Sequence, residues 1–229
     1  MLVAIPSVLS PAEVEEARAL LAGGRWGDGR VTAGAQSALA KRNMQLDQAD
    51  EGGHRVAAMI LASLKSNGLF MSAALPRTIF PPLFNRYDAD SGHSFGNHVD
   101  NAIRYLPDGG GTIRTDLSAT LFLADPQEYD GGELIIEDSY GSHQVKLPAG
   151  DMILYPATSL HRVEPVTRGS RLASFFWIES MVRDDGQRTI LLDMDAAVRT
   201  LAGQVGDDHP AVVSLTGTYH NLLRRWADA

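Results

Sequence analysis

Leu117-Ser118-Ala119-Thr120-Leu121-Phe122-Leu123 sets four small or aliphatic residues in strict alternation with Ser118, Thr120 and Phe122. A period of two over seven residues is the pattern of a β-strand with two unlike faces. The same texture extends in both directions, from about residue 77 to residue 178, as short β-branched and aromatic runs cut by Gly, Pro and Asp. Residues 133–137, 144–147, 151–155 and 171–178 read as further strands. Many short strands at such close spacing predict a sandwich or jelly roll and argue against βαβ units.

Helical signals flank this core. Ser10-Pro11-Ala12-Glu13 is a capping box with Pro at the first helical position, and Val14, Ala17, Leu20 and Leu21 follow at helical spacing until Gly23-Gly24. Val56, Met59, Ile60 and Leu64 repeat similarly before Gly68. Beyond Arg183 the period is helical again, through Leu191, Met194, Val198 and Leu201, then Leu215, Tyr219, Leu222 and Trp226. The expected organisation is an α+β, mainly β domain over residues 1–182, its jelly roll running from about 77 to 180. A helical extension over 183–229 follows, with 184–186 as a hinge. Residues 101–115, with Pro107, Asp108 and Gly109-Gly110-Gly111, are too irregular for a strand and are expected to form a mobile lid. There is no internal repeat.

Composition narrows the chemistry. The 229 residues are 44% hydrophobic and 21% charged, ordinary for a folded water-soluble protein. A net charge of −8, with no basic run longer than Lys41-Arg42 or Arg224-Arg225, argues against nucleic acid as a partner. No apolar stretch approaches the roughly 20 residues a bilayer requires, and Met1 to Leu9 lacks a basic region and a cleavage site. The expectation is a cytoplasmic protein without a membrane partner. The chain has no Cys, so disulfides, iron–sulfur clusters, thiolate zinc sites and cysteine nucleophiles are excluded, and any metal must use His, Asp or Glu.

Gly96-Asn97-His98-Val99-Asp100 places His98 and Asp100 two apart, on one face of a strand. With His161 farther along, just after the break at Pro156, they form a two-histidine, one-carboxylate set that leaves positions open on Fe(II). Arg171 stands ten residues after His161 at the head of Arg171-Leu172-Ala173-Ser174-Phe175-Phe176-Trp177. A fixed guanidinium near an iron suits a dicarboxylate cosubstrate. If 2-oxoglutarate chelates the metal and its far carboxylate pairs with Arg171, one position remains for dioxygen. Asn97 and Glu164 are candidates to orient the histidines, and Arg104 and Arg114 to meet an anionic substrate.

Plainer readings accompany these. Arg171 could form a structural ion pair with Glu133 or Glu179, and Tyr87 could be a core aromatic. His93 reads as loop surface, His143 as hairpin decoration, His54 and His209 as solvated helix flanks, and His220 as tail packing. Asp130-Gly131-Gly132-Glu133 reads as a turn. Tyr87-Asp88-Ala89-Asp90-Ser91-Gly92 lacks the ligands of a calcium loop, and the glycines at 109–111 lack the lysine of a phosphate loop.

These residues, together with Pro82-Leu83-Phe84-Asn85-Arg86-Tyr87, Tyr129-Asp130-Gly131-Gly132-Glu133-Leu134, Leu147-Pro148-Ala149-Gly150-Asp151 and Tyr219-His220-Asn221-Leu222-Leu223-Arg224, resemble the PKHD-type hydroxylases. Those are bacterial Fe(II)- and 2-oxoglutarate-dependent dioxygenases related to prolyl 4-hydroxylase, and the resemblance is nearly full length. It implies a double-stranded β-helix, iron held by His98, Asp100 and His161, and 2-oxoglutarate held by Arg171. Tyr87 corresponds to a tyrosine that reaches the same cosubstrate in prolyl hydroxylases. Those enzymes carry Lys where this chain has Arg171, so a prolyl substrate is not implied. The resemblance further implies hydroxylation coupled to conversion of 2-oxoglutarate to succinate, ascorbate as a reductant and a link to iron uptake. The competing readings are a cupin-like metal or small-ligand binding protein and a zinc-type hydrolase using the same three residues. The substrate, small molecule or peptide, is not legible, and the amphipathic tail suggests a homodimer.

Overall fold

The structure is a computed structural model that describes residues 1–32 and 35–228. The Leu117–Phe122 strand is buried along its whole length because both of its faces are covered. Leu117, Ala119 and Leu121 join Val56, Ile60 and Leu64 of the helix Glu51–Ser66, and Val14, Ala17 and Leu21 of the helix Pro11–Ala22, in one apolar cluster. Each such aliphatic side chain contributes roughly 1.5–3 kcal/mol when removed from water. Ser118 and Thr120 point the other way and line a cavity. The alternation read from the sequence thus separates a core face from a cavity face.

The neighbours of this strand are Met152–Pro156 and Val166–Ser180, both antiparallel to it. Leu83–Asp88 pairs with the other edge of Val166–Ser180, and Met44–Leu46 and Trp26–Asp28 continue the sheet. A smaller sheet runs in the order Gly141–Val145, Leu134–Asp138, Leu160–Val163, Ser94–His98, Lys41–Arg42. From Leu83 onward the chain passes repeatedly between the two sheets, which is the winding of a jelly roll. The Val166–Ser180 strand is longer than its apolar run because Tyr129–Gly131 pairs with its beginning and Pro76–Ile79 with its end.

The capping box at Ser10 and Glu13 forms as the sequence indicates, and Asp50 caps the second helix by accepting from the Gly53 N–H at 2.9 Å. Two helices, Asp185–Val205 and Pro210–Trp226, end the chain and set Leu191, Leu222 and Trp226 against Leu75 and Val182. No single helix among the described residues is long and apolar enough to cross a membrane.

Two expectations need correction. Residues 101–115 are not strandless: Ile103–Tyr105 and Thr112–Arg114 pair as a two-stranded hairpin, with Pro107 to Gly109 in a short turn of helix at its tip. The glycines confine the irregularity to the tip, where Gly109 and Gly111 take positive φ, while Ile113 is fully buried and anchors the hairpin. Residues 184–186 are not a hinge. Asp184 accepts from the Gln187 N–H at 2.8 Å, and the buried Arg188 donates to the carbonyls of Val182 and Arg183, each at 2.7 Å. The junction is locked by caps and charged hydrogen bonds.

Candidate metal and cosubstrate centre

The Ser94–His98 and Leu160–Val163 strands are neighbours in the smaller sheet, and their pairing sets His98 directly opposite His161. Asp100 lies two residues beyond His98. One ligand atom from each of the three side chains lies within 4.8 Å of the other two, a spacing one ion can bridge. The His161 Nε2 is 3.8 Å from the Asp100 Oδ2.

Backbone carbonyls orient the rings. The Gly96 carbonyl is 2.8 Å from the His98 Nδ1 and the Ser159 carbonyl 3.0 Å from the His161 Nδ1. Those contacts suit a proton on Nδ1 and leave the Nε2 lone pair for a metal. The expectation that Asn97 and Glu164 do this is corrected: Glu164 instead accepts from Arg162 at 2.7 Å, and Asn97 faces the same arginine. Phe95 stacks on His98 with ring centroids 3.6 Å apart, and Tyr155 meets His161 edge-on. Burial, reinforced by the adjacent His161, pushes the His98 imidazole down to about 4, so it is neutral at physiological pH. Neutral imidazole is the ligand form.

Asp100 accepts a 2.5 Å hydrogen bond from the Ser118 hydroxyl, which fixes the carboxylate. Ser118 escaped the sequence reading because a lone hydroxyl in a strand carries no spacing signal. It lies on the cavity face of the alternation that defines that strand.

Arg171 reaches the same cavity from the larger sheet, where it stands opposite Tyr87. It is 1% exposed, and its guanidinium carbon lies 5.4 Å from the Tyr87 ring and 5.2 Å from the Phe122 ring. Its Nε and Nη1 have no hydrogen-bond partner among the described residues. Neither carboxylate of the structural ion-pair alternative engages it: Glu133 lies by Lys146 and Glu179 by Arg114. Burial pushes the Tyr87 hydroxyl up to about 12, against the opposing pull of Arg171, so it remains a protonated donor. Gly132, with φ +66°, presses on the arginine: a Cβ there would meet the Arg171 Cδ at 3.2 Å. The glycine pair read as a turn also shapes the closed end of the cavity.

Lys41 is a second residue that sequence reasoning missed. It is 4% exposed, lies in the two-residue strand beside Phe95, and donates to the Gln45 Oε1 at 3.1 Å. Burial, with Arg104 nearby, holds its ammonium down at about 8. Of the two arginines expected to meet a substrate, Arg104 lines the cavity. Arg114 is turned away and tied to Asp116 at 2.7 and 2.9 Å, with Glu179 and Asp228 beyond. His93 is not loop surface. It is 9% exposed, and its Nδ1 accepts from the Asp88 N–H at 3.0 Å, which spends it in the turn. His143 decorates a hairpin against Asp138 at 2.7 Å.

Residues 82–179 match the family described as the 2OG-Fe(II) oxygenase superfamily, and residues 185–228 match the PKHD-type hydroxylase C-terminal domain. A PKHD-type hydroxylase of Methylobacterium nodulans is 56% identical over 228 residues, covering all of both chains. One from Variovorax paradoxus is 58% identical over the same span, again covering both chains entirely. Among solved structures, a Pseudomonas putida prolyl-4-hydroxylase superposes with a TM-score of 0.51 at 20% identity, covering 78% of this chain and 92% of that one. A Trichoplax adhaerens prolyl hydroxylase bound to a hypoxia-inducible-factor peptide gives 0.55 at 15% identity, covering 83% and 86%. At those identities the superpositions speak to the jelly roll alone. With relatives this similar along its entire length, the chain belongs to the PKHD-type hydroxylases, oxygenases that use Fe(II) and 2-oxoglutarate.

Proposed function

We propose that this enzyme hydroxylates a C–H bond of a compact substrate, with Fe(II) held by His98, Asp100 and His161 and the far carboxylate of 2-oxoglutarate held by Arg171 and Tyr87. The observation that carries the reading is the pair of unpartnered N–H groups on a fully buried Arg171, facing the cavity that the three ligand atoms share. A buried guanidinium left unpaired costs the empty fold free energy, which an anion bound beside it would offset. A dicarboxylate supplies that anion in the bidentate geometry a guanidinium prefers.

When bound, Fe(II) and 2-oxoglutarate supply the oxidising power: one oxygen atom of O2 enters succinate as carbon dioxide leaves, and the other enters the substrate. The protein's part is placement. The Gly96 and Ser159 carbonyls hold the Nδ1 edges of the histidines, Ser118 holds Asp100, and Tyr87 and Phe122 flank the anchor. Tyr155, whose hydroxyl burial and Asp100 push further up, closes the wall beside His161 without adding a charge.

Anaerobic titration of the protein with Fe(II) and then 2-oxoglutarate tests the assignment. A weak visible charge-transfer band is expected on addition of the second ligand. No band at saturating Fe(II) and 2-oxoglutarate would overturn the reading.

A further inference from the structure

The row of side chains that ends at Arg171 continues outward past Tyr87. Tyr87 stands opposite Arg171 where Leu83–Asp88 pairs with Val166–Ser180. On its other edge Leu83–Asp88 pairs with Met44–Leu46, in a register that sets Met44 opposite Arg86 and Gln45 opposite Asn85. One antiparallel step further, Asn43 comes to stand opposite Tyr87 and on the same face of the sheet. Asn43, Tyr87 and Arg171 thus form one row across three neighbouring chain segments, and all three are buried.

Asn43 is held in that place from behind. The Gly29 N–H donates to the Asn43 backbone carbonyl at 2.9 Å, and a Cβ on Gly29 would stand 1.8 Å from the Asn43 Oδ1. Only a residue without a side chain lets the Oδ1 pack there. That contact sets the Oδ1 end of the carboxamide against Gly29 and leaves the Nδ2 end for Tyr87. The electrostatics agree: burial raises the Tyr87 hydroxyl, and Arg171 and then Asn43 oppose the rise. A neutral amide favours a phenolate only by donating to its oxygen, so the edge presented to Tyr87 is the N–H edge. Within the empty protein the amide does little else, since neither its Oδ1 nor its Nδ2 reaches a partner at full hydrogen-bond geometry among the described residues. It therefore adds little to the stability of the empty fold.

We propose that Asn43 is a positioning residue for the cosubstrate: its Nδ2 donates to the Tyr87 oxygen and so directs the Tyr87 O–H at the far carboxylate of 2-oxoglutarate beside Arg171. The inference rests on the proposed reading of Arg171 and Tyr87 as the anchor. A phenol hydroxyl has one proton to give, and a guanidinium offers donors only. With Asn43 donating as well, neither neighbour in the row accepts that proton, which leaves it for the carboxylate. Gly29 and Asn43 act on the cosubstrate without touching it, through the orientation of one hydroxyl.

Anaerobic isothermal titration of the Fe(II)-loaded protein with 2-oxoglutarate, and separately with oxalate, tests this, with the visible band recorded alongside. Oxalate chelates a metal but has no far carboxylate to reach the anchor. Asn43→Ala is expected to weaken 2-oxoglutarate roughly three- to tenfold, the span of a neutral hydrogen bond, and to leave oxalate and Fe(II) affinity unchanged. A general loosening of the fold would weaken both chelators alike. In a Tyr87→Phe background, Asn43→Ala should have no further effect, because the hydroxyl it orients is gone. Gly29→Ala, which displaces the Asn43 Oδ1 from outside the cavity, should give the same selective loss and carries the test if Asn43→Ala does not fold. Unchanged 2-oxoglutarate affinity in Asn43→Ala would overturn the proposal. So would equal losses for 2-oxoglutarate and oxalate, or losses from Asn43→Ala and Tyr87→Phe that simply add. Absence of the band in the wild type, or a Tyr87→Phe variant that binds 2-oxoglutarate as the wild type does, would instead strike the underlying reading of the anchor.

Discussion

Arg171 and Arg188 are both 1% exposed and each leaves its Nε without a partner among the described residues, yet their terminal nitrogens differ. Arg188, beside the C-terminal helices, donates to the Val182 and Arg183 carbonyls and to Asp185 at 3.0 Å. Arg171, inside the jelly roll, lies between two aromatic rings with Nε and Nη1 unmatched. A buried cation whose terminal nitrogens are paired within its own chain holds structure together. One whose Nη1 and Nε find no partner among the described residues is set aside for a ligand, at a cost to the empty fold.

The contrast can be tested by separating function from stability. The largest effect belongs to the ligand set: Asp100→Ala should abolish Fe(II) binding in anaerobic equilibrium dialysis while leaving the melting temperature unchanged or higher. One Fe(II) still bound tightly would break the assignment. At the junction, Arg188→Ala should cost about 2–4 kcal/mol in urea denaturation, since it strands two carbonyls and a carboxylate, yet spare 2-oxoglutarate affinity in the folded fraction. Arg171→Ala should do the reverse, weakening 2-oxoglutarate by roughly 1.5–3 kcal/mol without lowering the unfolding midpoint. If both variants lost stability equally, the distinction between the two arginines would fall.

Acid provides a graded version. Because the folded protein holds His98 at about 4, below its ordinary 6.5, the unfolded chain binds that proton first. The metal-free protein should therefore lose stability as pH falls from about 6.5 toward 4, and His98→Asn should flatten that slope in pH-dependent melts. The smallest effect marks the floor: Arg18 pairs with Glu128 at 2.7 and 2.8 Å on the exposed surface, and Arg18→Ala should cost only about 0.2–1 kcal/mol.

What could be read from the chain alone follows the same division. His98, Asp100, His161 and Arg171 stood out because each offers a distinctive functional group at a telling interval, and the fold brings all four to one cavity. The strands of residues 117–178 and the capped helices were legible because period and caps are local properties. Ser118, Lys41 and Gly132 were not, because their roles arise from strand pairing across the sheets and from one close backbone approach. The ring-orienting groups were sought among side chains, whereas peptide carbonyls do the work and leave no trace in residue identity. The hairpin at 101–115 was hidden by the Pro and Gly at its tip. His93 was misjudged because its polar neighbours in sequence form a turn that closes over it.

That hairpin carries one arginine inward and another outward. Arg104 rests on Trp177 at the cavity, while Arg114, on the partner strand, is clasped by Asp116, Glu179 and Asp228, the last of these just past the final helix. The end of the tail and the rim of the cavity are therefore two ends of one short mechanical linkage. Truncating the terminal helices would bare the apolar seam around Leu75 and Val182 and also release the outer grip on the hairpin that presents Arg104. The smallest unit that keeps the whole cavity rim in place includes the tail.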